Sequence, residues 1–408
     1  MFPVREVLAN TTYAKLFSAQ VLALLGTGLL TVALSLLAYD IAGADAGVVM
    51  GTALTIKMLA YVAVSPVVAA LTARLPRKAV LLCADSVRAV VALALPWVGE
   101  IWQIYVLILV LQAASATFTP AFQAVIPEVL PDERQYTRAL SLSRLAYDLE
   151  SLLSPVIAAA LLAVMSYNNL FVGTFLGFAA STVLVLATGF PHIRAAERSP
   201  FVERLTRGGR IFWRTPELRS LMAMNLVVAA TTAMVIVNTV VLVRGDLDRS
   251  ESDVALLLAS YGAGSMIAAL AVPKLLDRWP DRPVMFTGVA LMPVGLAAAA
   301  GVMSLLAVDM QWGMLIIVWL VLGGGTSLVL TPAARLLRRA STQQSRPAVF
   351  AAQFSLSHAC FLLTYPAAGL LGASLGLTTT ALLLAGVATL GAVAARFFWA
   401  RRRVPWGR

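Results

Sequence analysis

Apolar residues run along this chain in long blocks rather than in short alternating stripes. Twelve blocks can be marked, at 15–39, 46–72, 79–99, 102–126, 136–165, 168–190, 220–243, 253–274, 283–307, 312–335, 347–373 and 376–399. Each is long enough for a helix to cross a hydrocarbon core of about 30 Å. The pattern predicts an all-α membrane protein of twelve transmembrane helices. The first block exceeds the apolar region of a secretory signal and has no small-residue cleavage pattern after it, so it reads as a retained helix.

The longest polar stretch, His192 to Arg219, carries seven arginines against Glu197, Glu203 and Glu217 and separates six blocks from six. We therefore expect a first six-helix half over 1–190, a basic cytoplasmic linker over 191–219 and a second six-helix half over 220–408. The linker reads as a solvated tether, with a surface-lying amphipathic helix around Phe201, Leu205, Ile211, Phe212 and Trp213 as the alternative. Thr119-Pro120-Ala121 recurs as Thr331-Pro332-Ala333, 212 residues on, and Pro155 recurs as Pro366, 211 residues on. Nearly equal offsets in corresponding helices imply duplication into two pseudo-symmetric halves, a construction found in transporters.

Composition removes the soluble alternatives, since 60% of residues are hydrophobic and 12% charged. The formal charge of +11 invites a nucleic-acid reading, which the distribution of the charge argues against. Counting twelve spans, Arg74, Arg77, Lys78, Arg138, the linker, Lys274, Arg278, Arg335, Arg339 and Arg401–Arg403 fall on one side, and Arg244 and Arg249 on the other. Positive charge concentrates on the cytoplasmic side of membrane proteins, so both termini are expected in the cytoplasm of an inner-membrane protein. Cys83 and Cys360 lie inside apolar blocks and suggest no disulfide framework. No phosphate-cradling Gly-Lys-Ser/Thr loop follows a strand, so an ATP-driven pump is not indicated.

An ionisable side chain at bilayer depth costs at least ~2.5 kcal/mol and calls for a partner or a job. Lys57 lies near the midplane of the second block, and Asp148 and Glu150 reach a similar depth in the fifth from the opposite side. Arg144 precedes Asp148 by one helical turn on the same face. A Lys57–carboxylate pair would leave the second acid free to titrate, which suits a site coupling protonation to substrate movement. The alternative is an ion-pair network that fixes helix orientation. His358, deep in the eleventh block and equivalent to Tyr147 by the 211-residue offset, is a further candidate, or else an interhelical hydrogen-bonding residue. Gln20, Gln112, Asn225, Asn238 and Gln353 are candidates for lining a polar cavity, or for bridging helices instead. No metal site and no cofactor is expected.

Between the second and third blocks, Ala69-Ala70-Leu71-Thr72-Ala73-Arg74-Leu75-Pro76-Arg77-Lys78 resembles the signature loop of the major facilitator superfamily, with Ala73 in place of its aspartate. The loop between the eighth and ninth blocks keeps Asp277-Arg278. Asp85 and Arg88, in an Asp-x-x-Arg-Ala pattern, also look like this family. The resemblance implies a conformational latch, for which Arg74, Arg77, Lys78, Asp85, Arg88, Asp277 and Arg278 are the candidates. Leu16-Phe17 with Gln20, Leu25-Gly26, Tyr39-Asp40 and the stretch Pro120 to Pro127 are most similar to the branch of macrolide-efflux, enterobactin-export and nickel-resistance proteins. Ser154-Pro155 with Ala158-Ala159 is similar to the glycine–proline motif of antiporters. The resemblance thus implies a secondary active transporter, a proton-coupled exporter of a small molecule working by alternating access, and not an enzyme. An importer or uniporter of the same fold, and a non-transporting receptor or scaffold, are the alternatives. The expected partners are a small-molecule substrate, protons and the lipid bilayer, without nucleic acid, and the fold's default state is a monomer.

Overall fold

The structure, a computed structural model, describes residues 7–64, 76–130, 132–189, 209–341 and 346–400. Among the described residues twelve long helices follow one another: α1 (Thr11–Ala42), α2 (Ala46–Leu59), α3 (Arg77–Ala94), α4 (Ile101–Val129), α5 (Glu133–Leu162), α6 (Asn168–Leu186), α7 (Pro216–Val240), α8 (Glu251–Arg278), α9 (Asp281–Leu305), α10 (Val308–Arg339), α11 (Arg346–Leu375) and α12 (Leu377–Ala400). Among the described residues there is no strand. Helices are what an apolar environment permits, because each backbone N–H and C=O finds its partner within the segment.

Ten helical runs among the described residues are long and apolar enough to cross a membrane. The first, Thr11–Ala63, holds both α1 and α2, joined by the short turn Gly43–Asp45. α5 contributes the shorter apolar stretch Leu153–Leu162 among the described residues. Arg144, Asp148 and Glu150, which stand out in the sequence, lie around the middle of α5.

Local chemistry sets the helix ends. The Asn10 side chain caps α1 by accepting from the Tyr13 N–H at 3.1 Å, and its amide also donates to the Val129 carbonyl at the end of α4, at 3.2 Å. Asp132 caps α5, accepting from the Gln135 N–H at 2.9 Å. Between α11 and α12 the chain reverses at Gly376, whose φ of +80° a side chain would oppose.

The chain divides into two compact units. One gathers α1, α2 from Thr52 onward, α3 to α6, and Ser250–Ala259 at the start of α8. The other gathers Ala44–Gly51 at the start of α2, then α7, the remainder of α8, and α9 to α12. In the first unit α1 packs on α5 and α6, and α3 on α4 and α6, around Tyr13, Leu16, Leu81, Phe118, Phe122 and Ile126. In the second, α7 packs on α11 and α12, and α9 on α10 and α12. There Trp319 is fully buried and its indole N–H donates to Thr239 Oγ1 at 3.0 Å. The large apolar side chains left outside, such as Val90, Leu270, Leu363 and Leu390, suit hydrocarbon. Lipid is as apolar as a helix surface, so close packing and interhelical hydrogen bonds hold these bundles together.

Candidate functional site

The first unit contains a charged core. Lys57 lies in the last turn of α2, just before the helix loosens into a π-turn over Ala60–Val64, a distortion that recurs at functional sites. Glu150 of α5 and Lys57 act on each other electrostatically. Tyr61, within the π-turn, is coupled to both Glu150 and Arg88, and Arg88 is coupled to Tyr147 on α5. Pro155 in α5 cannot donate a backbone hydrogen bond, which frees the Ser151 carbonyl one residue from Glu150. Ser154 is completely buried and its Oγ has no hydrogen-bond partner.

Arg88 is itself held on several sides. It forms a buried ion pair with Asp85, one turn earlier on α3. Asp85 also accepts from Ser181 Oγ of α6 at 2.6 Å. The guanidinium lies 4.4 Å from the Phe118 ring centroid and 4.5 Å from that of Phe178. Ring faces offset part of the cost of removing this cation from water. The pair is thus enclosed by α3, α4 and α6 of its own unit, with Arg88 Nε buried and without a hydrogen-bond partner among the described residues. Among the described residues the core balances two acids, Asp85 and Glu150, against two bases, Lys57 and Arg88.

The remaining candidates fall in several places. Arg74 lies outside the described residues, as do the side chains of Arg144 and Asp148. Arg77 opens α3. Lys78 donates through Nζ to the carbonyls of Leu186 at 2.7 Å and Thr188 at 2.9 Å, and Lys15 reaches the Ala187 carbonyl at 2.9 Å. Two ammonium groups therefore cover the C-terminal carbonyls of α6, where the helix dipole favours cations. Asp277 and Arg278 are exposed at the end of α8. Asp281, which no motif in the sequence marks, is the acid engaged there: it is buried and pairs with Arg335 at 3.4 Å and with Arg339, both on α10.

Of the amides, Gln20 is buried and accepts from Ser143 Oγ at 2.9 Å, tying α1 to α5. Gln112 is buried in α4. Asn238 donates to the Ala368 carbonyl at 3.1 Å, tying α7 to α11. Asn225 accepts from Gln353 Nε2 at 3.2 Å, while Asn225 Nδ2 and Gln353 Oε1 are buried without partners. His358 has Nδ1 2.6 Å from the Phe354 carbonyl. A carbonyl only accepts, so that nitrogen carries the proton. The ring packs 4.1 Å from the Phe354 ring. The second unit also holds a hydroxyl chain that the sequence does not announce, in which Tyr261 OH donates to Thr326 Oγ1 at 3.0 Å and lies 3.3 Å from Thr232 Oγ1. These polar groups are neutral, whereas the first unit holds Lys57, Asp85, Arg88 and Glu150 as well as its amides.

Comparisons with known proteins agree with this architecture. Macrolide efflux protein A of Enterococcus faecalis is 27% identical over 154 residues, 35% of this chain and 47% of that protein. The protein of the same name in Streptococcus pyogenes is 25% identical over 150 residues, 36% of this chain and 37% of that protein. The MFS-type transporter YfiS of Bacillus subtilis is 28% identical over 113 residues, 28% of this chain and 27% of that protein. The matched region spans less than half the length of each of these relatives. A bacterial homologue of the human lysosomal transporter Spinster superposes with a TM-score of 0.74 at 13% identity, over 97% of this chain and 98% of that one. The nucleoside transporter NupG gives 0.72 at 12% identity, over 96% and 100%. At such identities the likeness is one of fold. The family model described as Major Facilitator Superfamily matches residues 16–243 and 221–408, which between them take in all twelve helices. This chain, a multi-pass membrane protein, belongs to the Major Facilitator Superfamily.

Proposed function

We propose that the protein exports a small molecule across the cytoplasmic membrane, exchanging it for protons by alternating access. The observation that carries this reading is the placement of the Glu150 carboxylate inside the helix bundle of the first unit, 3.0 Å from where a β-carbon on Gly28 of α1 would stand, in the same unit as Lys57. A carboxylate facing a lysine in low dielectric has two competent states. It is ionised when the ammonium is its partner, and neutral when a proton takes that role. Switching between them changes the charge of the interior by one proton per cycle, which is what coupling to a gradient requires. Arg144 and Asp148, on the same helix, extend the coupling candidates.

Export is favoured by the likeness to proteins named for macrolide efflux. Asn225 and Gln353, with a donor and an acceptor left unpaired, are the amides best suited to meeting substrate. Gln20 is occupied in joining helices, Asn238 ties α7 to α11 and its unpaired Oδ1 lies packed against Gly47 and Gly372, and His358 is held by its own helix. The concentration of basic residues at one set of helix ends supports a cytoplasmic location for both termini, and the protein works as a monomer.

The direct test is accumulation of labelled compounds in efflux-deficient cells with and without the protein. The panel comprises a macrolide, a lipophilic cation, a catechol siderophore and nickel. Depletion of one compound, reversed by an uncoupler, supports the proposal. Protein-dependent accumulation instead of depletion would reverse the direction of transport.

A further inference from the structure

The outer face of α9 carries a feature that the transport reading does not use. Pro283, Phe286, Thr287, Ala290, Leu291 and Val294 line a groove of about 450 Å³. These positions recur every three to four residues, so they form one stripe along the helix. At a rise of about 1.5 Å per residue the stripe runs for about 16 Å, half the ~30 Å hydrocarbon core and thus the depth of one leaflet. Val294, 66% exposed, lies at its deep end.

The shallow end is basic. Arg282 is exposed and its guanidinium lies 5.8 Å from the centroid of Phe286, a residue of the groove wall. The Phe286 ring is held in turn by an edge contact with Trp399, with centroids 5.8 Å apart. The neighbouring acid, Asp281, is buried and already engaged by Arg335 and Arg339, and Arg282 makes no ion pair among the described residues. Lys274, Arg278 and Arg338 add positive charge at the same helix ends, against Asp277 alone. Acyl-chain-sized apolar relief that ends at an uncompensated guanidinium matches an anionic phospholipid, with its chain in the groove and its phosphate at Arg282.

We infer that α9 carries a binding site for an anionic phospholipid, formed by the Pro283–Val294 stripe and Arg282. Zwitterionic lipids fill the groove equally well but bring their own cation to Arg282, so they are discriminated against by charge.

The test uses purified full-length protein in detergent micelles, with bound lipid counted by native mass spectrometry against equimolar phosphatidylglycerol and phosphatidylcholine. The expected result is about fivefold preferential retention of phosphatidylglycerol, equivalent to ~1 kcal/mol. Arg282→Gln should abolish the preference, and Ala290→Trp, which fills the groove, should lower retention of both lipids. Arg396→Gln, which removes an exposed arginine from α12, should leave the preference unchanged. All three positions face outward, so folding is retained, and thermal melting checks it. Equal retention of the two lipids, persistence of the preference in Arg282→Gln, or its equal loss in Arg396→Gln would each overturn the assignment. Glycerol phosphate without acyl chains should not compete; if it displaces the lipid at equal concentration, the site reads a free phosphate and the groove is irrelevant.

Discussion

Gly28 of α1 lies directly against the part of α5 that bears Glu150: a β-carbon on Gly28 would stand 3.0 Å from Glu150 Oε1 and would collide with the Ser154 side chain. The absence of a side chain on α1 is therefore what lets α5 bring its carboxylate this far into the unit. Gly28→Leu should push α5 outward at a cost of about 1–3 kcal/mol, as overpacked cores show, and should lower the melting temperature in detergent by several degrees. Gly28→Ala should cost less, and Ser154→Gly in that background should recover part of the loss. An unchanged melting temperature in Gly28→Leu would contradict the close approach.

The Asp85–Arg88 pair is buried on all sides, so the two residues should behave as a unit. Asp85→Asn strands a guanidinium between two phenyl rings, and breaking one partner of a buried pair costs about 3–5 kcal/mol. Replacing both, as Asp85→Leu with Arg88→Met, should cost less than either single change. A double-mutant cycle on thermal stability measures this, and strict additivity would show that the pair is not coupled.

Much of this architecture is legible in the order of residues alone. A spanning helix announces itself over some twenty residues at once, so the twelve apolar blocks and the twelve helices coincide apart from their ends. Lys57 and Glu150 stand out for the same reason, being charges where charge is expensive. Tertiary partnership is not legible in this way. Asp281 sits among basic residues at the start of α9 with no motif to mark it, and its partners Arg335 and Arg339 lie at the far end of the next helix. Lys78 belongs by pattern to a latch loop, yet its ammonium covers the end of α6. Tyr61 and Tyr147 are ordinary aromatic residues until the fold brings them within electrostatic reach of Arg88. Gln20 and Asn225 look alike in sequence, and which amide is spent on holding helices depends on Ser143 and Gln353, each more than a hundred residues distant.

At the rim, Tyr167 donates to Asp40 Oδ2 at 2.6 Å. Burial first, then the hydrogen bond and charge of Asp40 and the charge of Glu251, hold its phenol well above the ordinary value of about 10. A raised value favours the protonated form in the folded state. Its contribution is therefore complete below about pH 10 and is lost as the pH climbs from there toward the folded value. Tyr167→Phe should lose less stability than the wild type between about pH 9 and 12. Parallel thermal melts across that range decide the matter, and identical slopes would remove Tyr167 from the alkaline transition.

The central claim is that the Glu150 carboxylate couples substrate movement to protons. Its most direct test is reconstitution of the wild type and Glu150→Gln in proteoliposomes, with the transported compound measured under an imposed proton gradient and in gradient-free counterflow. The account predicts that Glu150→Gln loses gradient-driven transport, falling to the level of empty liposomes, while counterflow exchange continues because alternating access itself is intact. Gradient-driven transport at the wild-type rate in Glu150→Gln would contradict it.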